Sequence, residues 1–190
     1  ILDYLGENVA SDAQADAAVA AYVASLTAIG ATAGAPARLD AHISVKLTQL
    51  GLDQSFEGAL ARMRRLCAAA TAAGTRVAID MEAHQYTDRT VAAYKLLREE
   101  SDRLILCLQA SLRRTQADVT LLDPARSQIR LCKGAYDEPG DIAYNRWDTM
   151  ASYRRLLGAL LRASPYTAVA THDDLCVKEA ERVAAKGCRT

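Results

Sequence analysis

Six times along this chain a short apolar run is followed, after a turn, by a capped helical pattern, and no linker or composition break interrupts the alternation. The apolar runs cover residues 1–5, 42–47, 76–81, 104–109, a stretch beginning at Ile129, and 167–172. Between them, Ser11 or Asp12 caps a helix with Ala15, Val19, Tyr22, Val23 and Leu26 on one face, and Ser55 caps another with Phe56, Leu60, Met63 and Cys67, closed by Gly74. Thr87 caps a third with Val91, Tyr94 and Leu97; a fourth covers 114–122 and stops at Asp123-Pro124. The fifth, 147–163, is expected to be the longest, and the last follows Asp173-Asp174 and ends before Gly187. Units of roughly 30 residues are the size of βα repeats, and strict repetition predicts an α/β chain with a parallel sheet.

Two architectures satisfy that pattern, an open doubly-wound sheet and a (β/α)8 barrel, and the positions of polar residues separate them. In a barrel the C-terminal end of every strand faces one site, so functional side chains recur at strand ends. Lys46, Asp80, Glu82, Gln109, Arg130, Lys133 and His172 stand there in successive units, and Glu7 follows the first strand. An open sheet instead carries a glycine-rich phosphate loop after its first strand, and Tyr4-Leu5-Gly6-Glu7 is not one. The expectation is a TIM-type (β/α)8 barrel in one domain over residues 1–190, incomplete here. A typical barrel needs ~250 residues, so the last two units are expected to be absent, leaving a bare sheet edge at the sixth strand open to self-association.

The composition removes other classes. Lys plus Arg and Asp plus Glu are equal at 23 each, so no general field draws nucleic acid. Five cysteines, an odd number without a Cys-x-x-Cys pair, argue against a disulfide framework or zinc knuckle; Cys107 and Cys132 read as small buried strand residues. His42, His84 and His172 fall in no metal-ligand spacing, so no metal is expected. No apolar run reaches the ~20 residues that span a bilayer, and a reducing, cytoplasmic setting is expected.

The stretch from Ile129 to Tyr136 concentrates the chemistry. Arg130 and Lys133 interrupt a strand otherwise suited to burial on both faces, and buried cations require an anionic counterpart, either a ligand or a neighbouring carboxylate. Gly134 then permits close backbone approach. Lys46 and Asp80 stand at similar depth in adjacent strands, as a site or as a structural ion pair; Gln109 could satisfy a backbone group, and His172 could be a neutral structural histidine.

Six segments in order carry a resemblance: Leu2-Asp-Tyr-Leu-Gly-Glu7, Ser44-Val-Lys-Leu47, Ile79-Asp-Met-Glu82, Leu108-Gln-Ala110 with Arg113-Arg-Thr115, Arg130-Leu-Cys-Lys-Gly-Ala-Tyr136 and Ala170-Thr-His-Asp173. Together they resemble the successive motifs of proline dehydrogenases in their short bacterial form. The resemblance implies a flavin adenine dinucleotide (FAD) enzyme that oxidises L-proline to Δ1-pyrroline-5-carboxylate and passes electrons to a membrane quinone, peripheral on the inner face of the membrane. It also adds a final helix to the units expected to be missing. Residue by residue, the resemblance implies catalytic roles for Arg130, beside flavin N5, and for Asp80, which forms with Lys46 the strand-end pair at the substrate site. Lys46, Ala135 and Tyr136 correspond to substrate contacts, and Met81, Gln109, Arg130, Lys133, Gly134, Ala135, Thr171 and His172 to cofactor contacts. Glu7 corresponds to a lid carboxylate.

Two positions depart from the family pattern, Asp137 and Ser111, each standing where an aromatic is usual. Two other readings fit the strand-end charges. A Schiff-base aldolase barrel would use Lys46 or Lys133 as nucleophile, and a non-catalytic partial barrel would pair its charges internally.

Overall fold

The computed structural model describes residues 1–4, 6, 8–32 and 40–187. Among them run six strands, β1 (Leu2–Asp3), β2 (Ile43–Val45), β3 (Val77–Ile79), β4 (Leu104–Gln109), β5 (Gln128–Cys132) and β6 (Tyr166–Ala170). They alternate with the helices α1 (Asp12–Ala31), α2 (Phe56–Ala72), α3 (Thr87–Arg98), α4 (Thr115–Leu121), α5 (Arg146–Ala163) and α6 (Asp174–Gly187). The strand order is β1-β2-β3-β4-β5-β6, and the pairs β1–β2, β2–β3 and β5–β6 are parallel. Order without reversal is that of a TIM-type barrel, since a doubly-wound sheet turns back at a switch point. The chain folds into two compact units whose boundary falls within β4, the first holding 1–80 and 88–105, the second 81–87 and the rest from Leu106.

In the first unit the helix ends follow from the sequence. Ser11 Oγ accepts the Gln14 N–H at 3.3 Å and Ser55 Oγ the Gly58 N–H at 3.0 Å, each satisfying one of the orphan donors of a first turn. Ala15, Val19, Tyr22 and Leu26 of α1, with Met63 and Leu66 of α2 and Ile43, Val45, Val77 and Ile79 of the strands, form a buried core. At 20 residues α1 exceeds the 18 of α5, contrary to expectation. Its alanine-rich sequence loses little side-chain entropy in a helix, so it runs uninterrupted to Ala31.

In the second unit Tyr153, Leu156, Leu157 and Leu160 of α5 are buried with Ile129 and Leu131 of β5, and the Tyr153 hydroxyl donates to the Leu131 carbonyl at 3.3 Å. The expected two-sided burial of β5 is not found: Ile129 and Leu131 are buried, while Gln128, Arg130 and Cys132, on the opposite face of the pleat, are half-buried. Cys132 is therefore not the buried strand residue it was expected to be, whereas Cys107 is buried. Every residue of β6, the last strand in the order, is half-buried.

One cation fastens α2 to the start of α1. Arg62, 8% exposed, donates to Asp12 Oδ1 at 2.7 Å, Asp16 Oδ1 at 3.0 Å and the Leu50 carbonyl at 3.2 Å. The Arg62 hydrogen bond is the largest cause holding the Asp16 carboxyl below its ordinary value of 3.8. A depressed carboxyl stabilises the fold above its unfolded pKa, and that contribution is lost as pH falls through the lowered value. Arg62→Leu is expected to lower unfolding free energy at neutral pH by about 1–3 kcal/mol. The difference from the parent should shrink as the medium is taken below the carboxylate range, which urea unfolding at a series of pH values measures.

Candidate functional site

In the first unit, strand register brings the expected pair together. Ser44 lies opposite Asp3 on β1 and Ala78 on β3, and Val45 opposite Ile79. Side chains alternate across a strand, so Asp3, Lys46 and Asp80 share one face, with Lys46 level with Asp80 if the β2–β3 register runs one residue further. The Lys46 ammonium pairs with Asp3 Oδ2 at 3.0 Å. Asp3 was not singled out from sequence, although its place in the first motif and the parity of a parallel register both point to it. Glu7 lies outside the described residues.

In the second unit, five of the eight residues expected around a cofactor line one cavity. A cavity of about 450 Å³ is lined by 132–135 and 170–173, and so takes in Lys133, Gly134, Ala135, Thr171 and His172. Gln109, 2% exposed, lies against the same loop: its Nε2 donates to the Met81 and Glu82 carbonyls at 2.9 and 3.0 Å. Its buried Oε1 accepts no hydrogen bond among the described residues, and the Ser111 hydroxyl beside it has no partner there either. Both face Gly134, whose φ of +112° suits glycine. A Cβ there would come within 2.0 Å of Ser111 Oγ and 3.1 Å of Gln109 Oε1. Arg130 lies on the half-buried face of β5, one pleat before Cys132 of the cavity wall. Tyr136 and Ala135 are exposed.

Lys133 has the carboxylate its charge called for. Asp173 Oδ2 takes its ammonium at 2.9 Å, while Asp173 Oδ1 accepts the Leu175 and Cys176 N–H groups at 3.0 and 3.4 Å. Asp173 therefore caps α6, as the sequence suggests, and also neutralises Lys133. The Lys133 hydrogen bond is the largest cause holding its carboxyl below the ordinary value.

The loop after β5 is tied down from several sides. Ser111 N–H donates to the Lys133 carbonyl at 2.7 Å and the Ser111 carbonyl accepts Tyr144 N–H at 2.8 Å. Arg113 grips the Gly140 carbonyl through Nε and Nη2 at 3.1 and 3.0 Å and lies 4.6 Å over the Tyr144 ring. Glu138 accepts the His84 N–H at 2.7 Å with one oxygen and meets the His84 ring nitrogen with the other. The Arg113-Arg-Thr115 motif is accordingly structural: Arg114 forms a bidentate pair with buried Asp118 at 2.8 and 3.0 Å, and the Thr115 hydroxyl donates to the Gln109 carbonyl at 2.5 Å. His84 and Glu138 were not assigned roles from sequence, because nothing local marks a contact 54 positions apart.

Residues 1–187 match the family model described as proline dehydrogenase. The chain belongs to the proline dehydrogenase family. It is 33% identical over 186 residues to "Proline dehydrogenase 1" of Bacillus subtilis subsp. natto, covering 97% of this chain and 60% of that protein. It is also 33% identical over 187 residues to "Proline dehydrogenase" of Deinococcus radiodurans, covering 95% of this chain and 59% of that one. The chain thus spans about 60% of the length of the curated relatives it matches. In fold it resembles proline utilization A (PutA) from Bdellovibrio bacteriovorus inactivated by N-propargylglycine, with a TM-score of 0.82 at 23% identity over 97% of this chain and 24% of that one.

For this proline dehydrogenase family chain, the cavity chemistry fits a flavin. A buried Gln109 oxygen with no donor among the described residues, a glycine with no room for a side chain and the Lys133 cation suit a planar cofactor rich in hydrogen-bonding groups. Gly134→Ala is expected to cost about 1–3 kcal/mol of stability through backbone strain and the Ser111 clash. Chemical denaturation measures this, and a neutral substitution would contradict the geometry.

Proposed function

We propose that this chain supplies the flavin-binding and part of the substrate-binding apparatus for FAD-dependent oxidation of L-proline to Δ1-pyrroline-5-carboxylate, the first step of proline catabolism. Electrons pass on to a membrane quinone, and the enzyme works in the cytoplasm against the inner face of the bacterial membrane. The observation that carries the reading is one cavity lined by Lys133, Gly134, Ala135, Thr171 and His172, with Gln109 against its Gly134 loop, in a chain of this family.

When bound, FAD supplies a two-electron acceptor, N5, for the hydride that leaves the proline ring carbon next to nitrogen. The chain's own residues bind, orient and set charge. Gln109 Oε1 would accept a hydrogen bond from the cofactor, and Lys133 and the backbone at Gly134 would hold its polar groups. Met81, Thr171 and His172 complete its walls. Arg130 provides positive charge where negative charge develops on reduction. In the first unit Lys46 takes the substrate carboxylate and Asp80 orients that ammonium; in the second, Ala135 and Tyr136 keep the substrate-contact roles that the family resemblance gives them.

The ion pairs weigh against an aldolase. Lys46 and Lys133 are paired with Asp3 and Asp173, and a paired ammonium is the form that cannot add to a carbonyl. Borohydride should therefore trap no carbonyl compound on either lysine.

Arg130→Met in the FAD-loaded, full-length protein is expected to slow reduction by L-proline about a hundredfold per bound flavin in stopped-flow absorbance. Normal single-turnover reduction in that variant would remove Arg130 from the mechanism.

A further inference from the structure

Tyr22 is 2% exposed, and a phenol buried that deeply needs partners for its hydroxyl. It finds three at the strand ends. The oxygen accepts the Tyr4 N–H at 3.3 Å, and the proton is shared between Gln49 Oε1 at 2.8 Å and Asp3 Oδ1 at 3.1 Å. Burial first, and the charges of Asp3 and Asp80 after it, push the hydroxyl far above its ordinary value, so it stays a donor.

Gln49, fully buried in the single helical turn Leu47–Leu50 after β2, completes the connection. Its Nε2 donates to the Tyr4 carbonyl, and its Oε1 accepts both the Tyr22 hydroxyl and the Lys46 N–H, the latter at 3.3 Å. These contacts close a ring that begins and ends on Lys46. The Lys46 backbone N–H meets Gln49, Gln49 meets Tyr22, Tyr22 meets Asp3 Oδ1, and Asp3 Oδ2 holds the Lys46 ammonium at 3.0 Å. An exposed lysine–carboxylate pair contributes little because two long side chains must be ordered to form it. Here the Lys46 side chain is 14% exposed, and its carboxylate is already held in place by the hydroxyl of a core residue.

We propose that Asp3, Tyr22 and Gln49 are positioning residues for Lys46, fixing its ammonium at the distance and direction that a substrate carboxylate requires. The inference rests on the reading that Lys46 binds the carboxylate of proline. It goes further in assigning the affinity for that carboxylate to a buried phenol on α1 and an acid on β1. The ring acts on binding, since Lys46 takes no part in bond breaking, so its loss falls on half-saturation and spares the limiting rate.

The test uses the full-length, FAD-loaded protein, with flavin absorbance of each variant confirming that it folds. Tyr22→Phe and Asp3→Asn are each expected to raise the proline concentration for half-maximal reduction about tenfold, with the limiting rate held within about twofold. The dissociation constant of a non-oxidisable ring carboxylate should shift by the same factor. In a Lys46→Met background neither change should add anything, because both act through the lysine. If Lys46→Met weakens proline binding but Tyr22→Phe and Asp3→Asn do not, or if their effects add fully to that of Lys46→Met, the positioning ring is wrong while the function stands. If Lys46→Met itself leaves half-saturation unchanged, the substrate role of Lys46 falls.

Discussion

A parallel strand covered by helices has little room for charge along its length, and this one restriction arranges the rest of the chain. Burying an unpaired ion costs several kcal/mol, so charged side chains collect where strands end and loops begin. Lys46, Asp80 and Lys133 stand at or just past such ends, and Arg130 sits on the half-buried face of β5. The same restriction explains why each of the two ion-paired lysines meets a carboxylate of a neighbouring strand or its following loop: Asp3 lies at the end of β1 and Asp173 just past β6.

Most of the architecture was legible in the sequence because its signals are local. A capping serine, a proline stop and a helical apolar stripe act within a few residues, and the order of strands and helices and the placement of Gln109, Lys133 and Gly134 followed from them. What was not legible depends on register and distance. Asp3, Asp173 as partner of Lys133, and the Glu138–His84 contact bring together residues 40 to 54 positions apart. The half-exposure of Cys132 depends on which face of β5 its helix covers, and no periodicity over five residues decides that.

The internal pairing of Lys46 and Lys133 is also what a non-catalytic scaffold would show, so the pairs alone do not argue for chemistry. The cavity residues do. A scaffold has no reason to bury the Gln109 carbonyl oxygen beside that cavity without a donor among the described residues, or to keep a glycine at positive φ with two polar side chains pressed against it. Such costs are tolerated at sites that complete themselves with a ligand.

The cavity at the ends of β5 and β6 is proposed to hold a flavin that proline reduces. Anaerobic addition of L-proline to the FAD-loaded, full-length protein tests it most directly. The protein is expected to be yellow, with a visible flavin band that bleaches on mixing. A protein that stays colourless in excess FAD, or one whose flavin band is unchanged by proline, would contradict it.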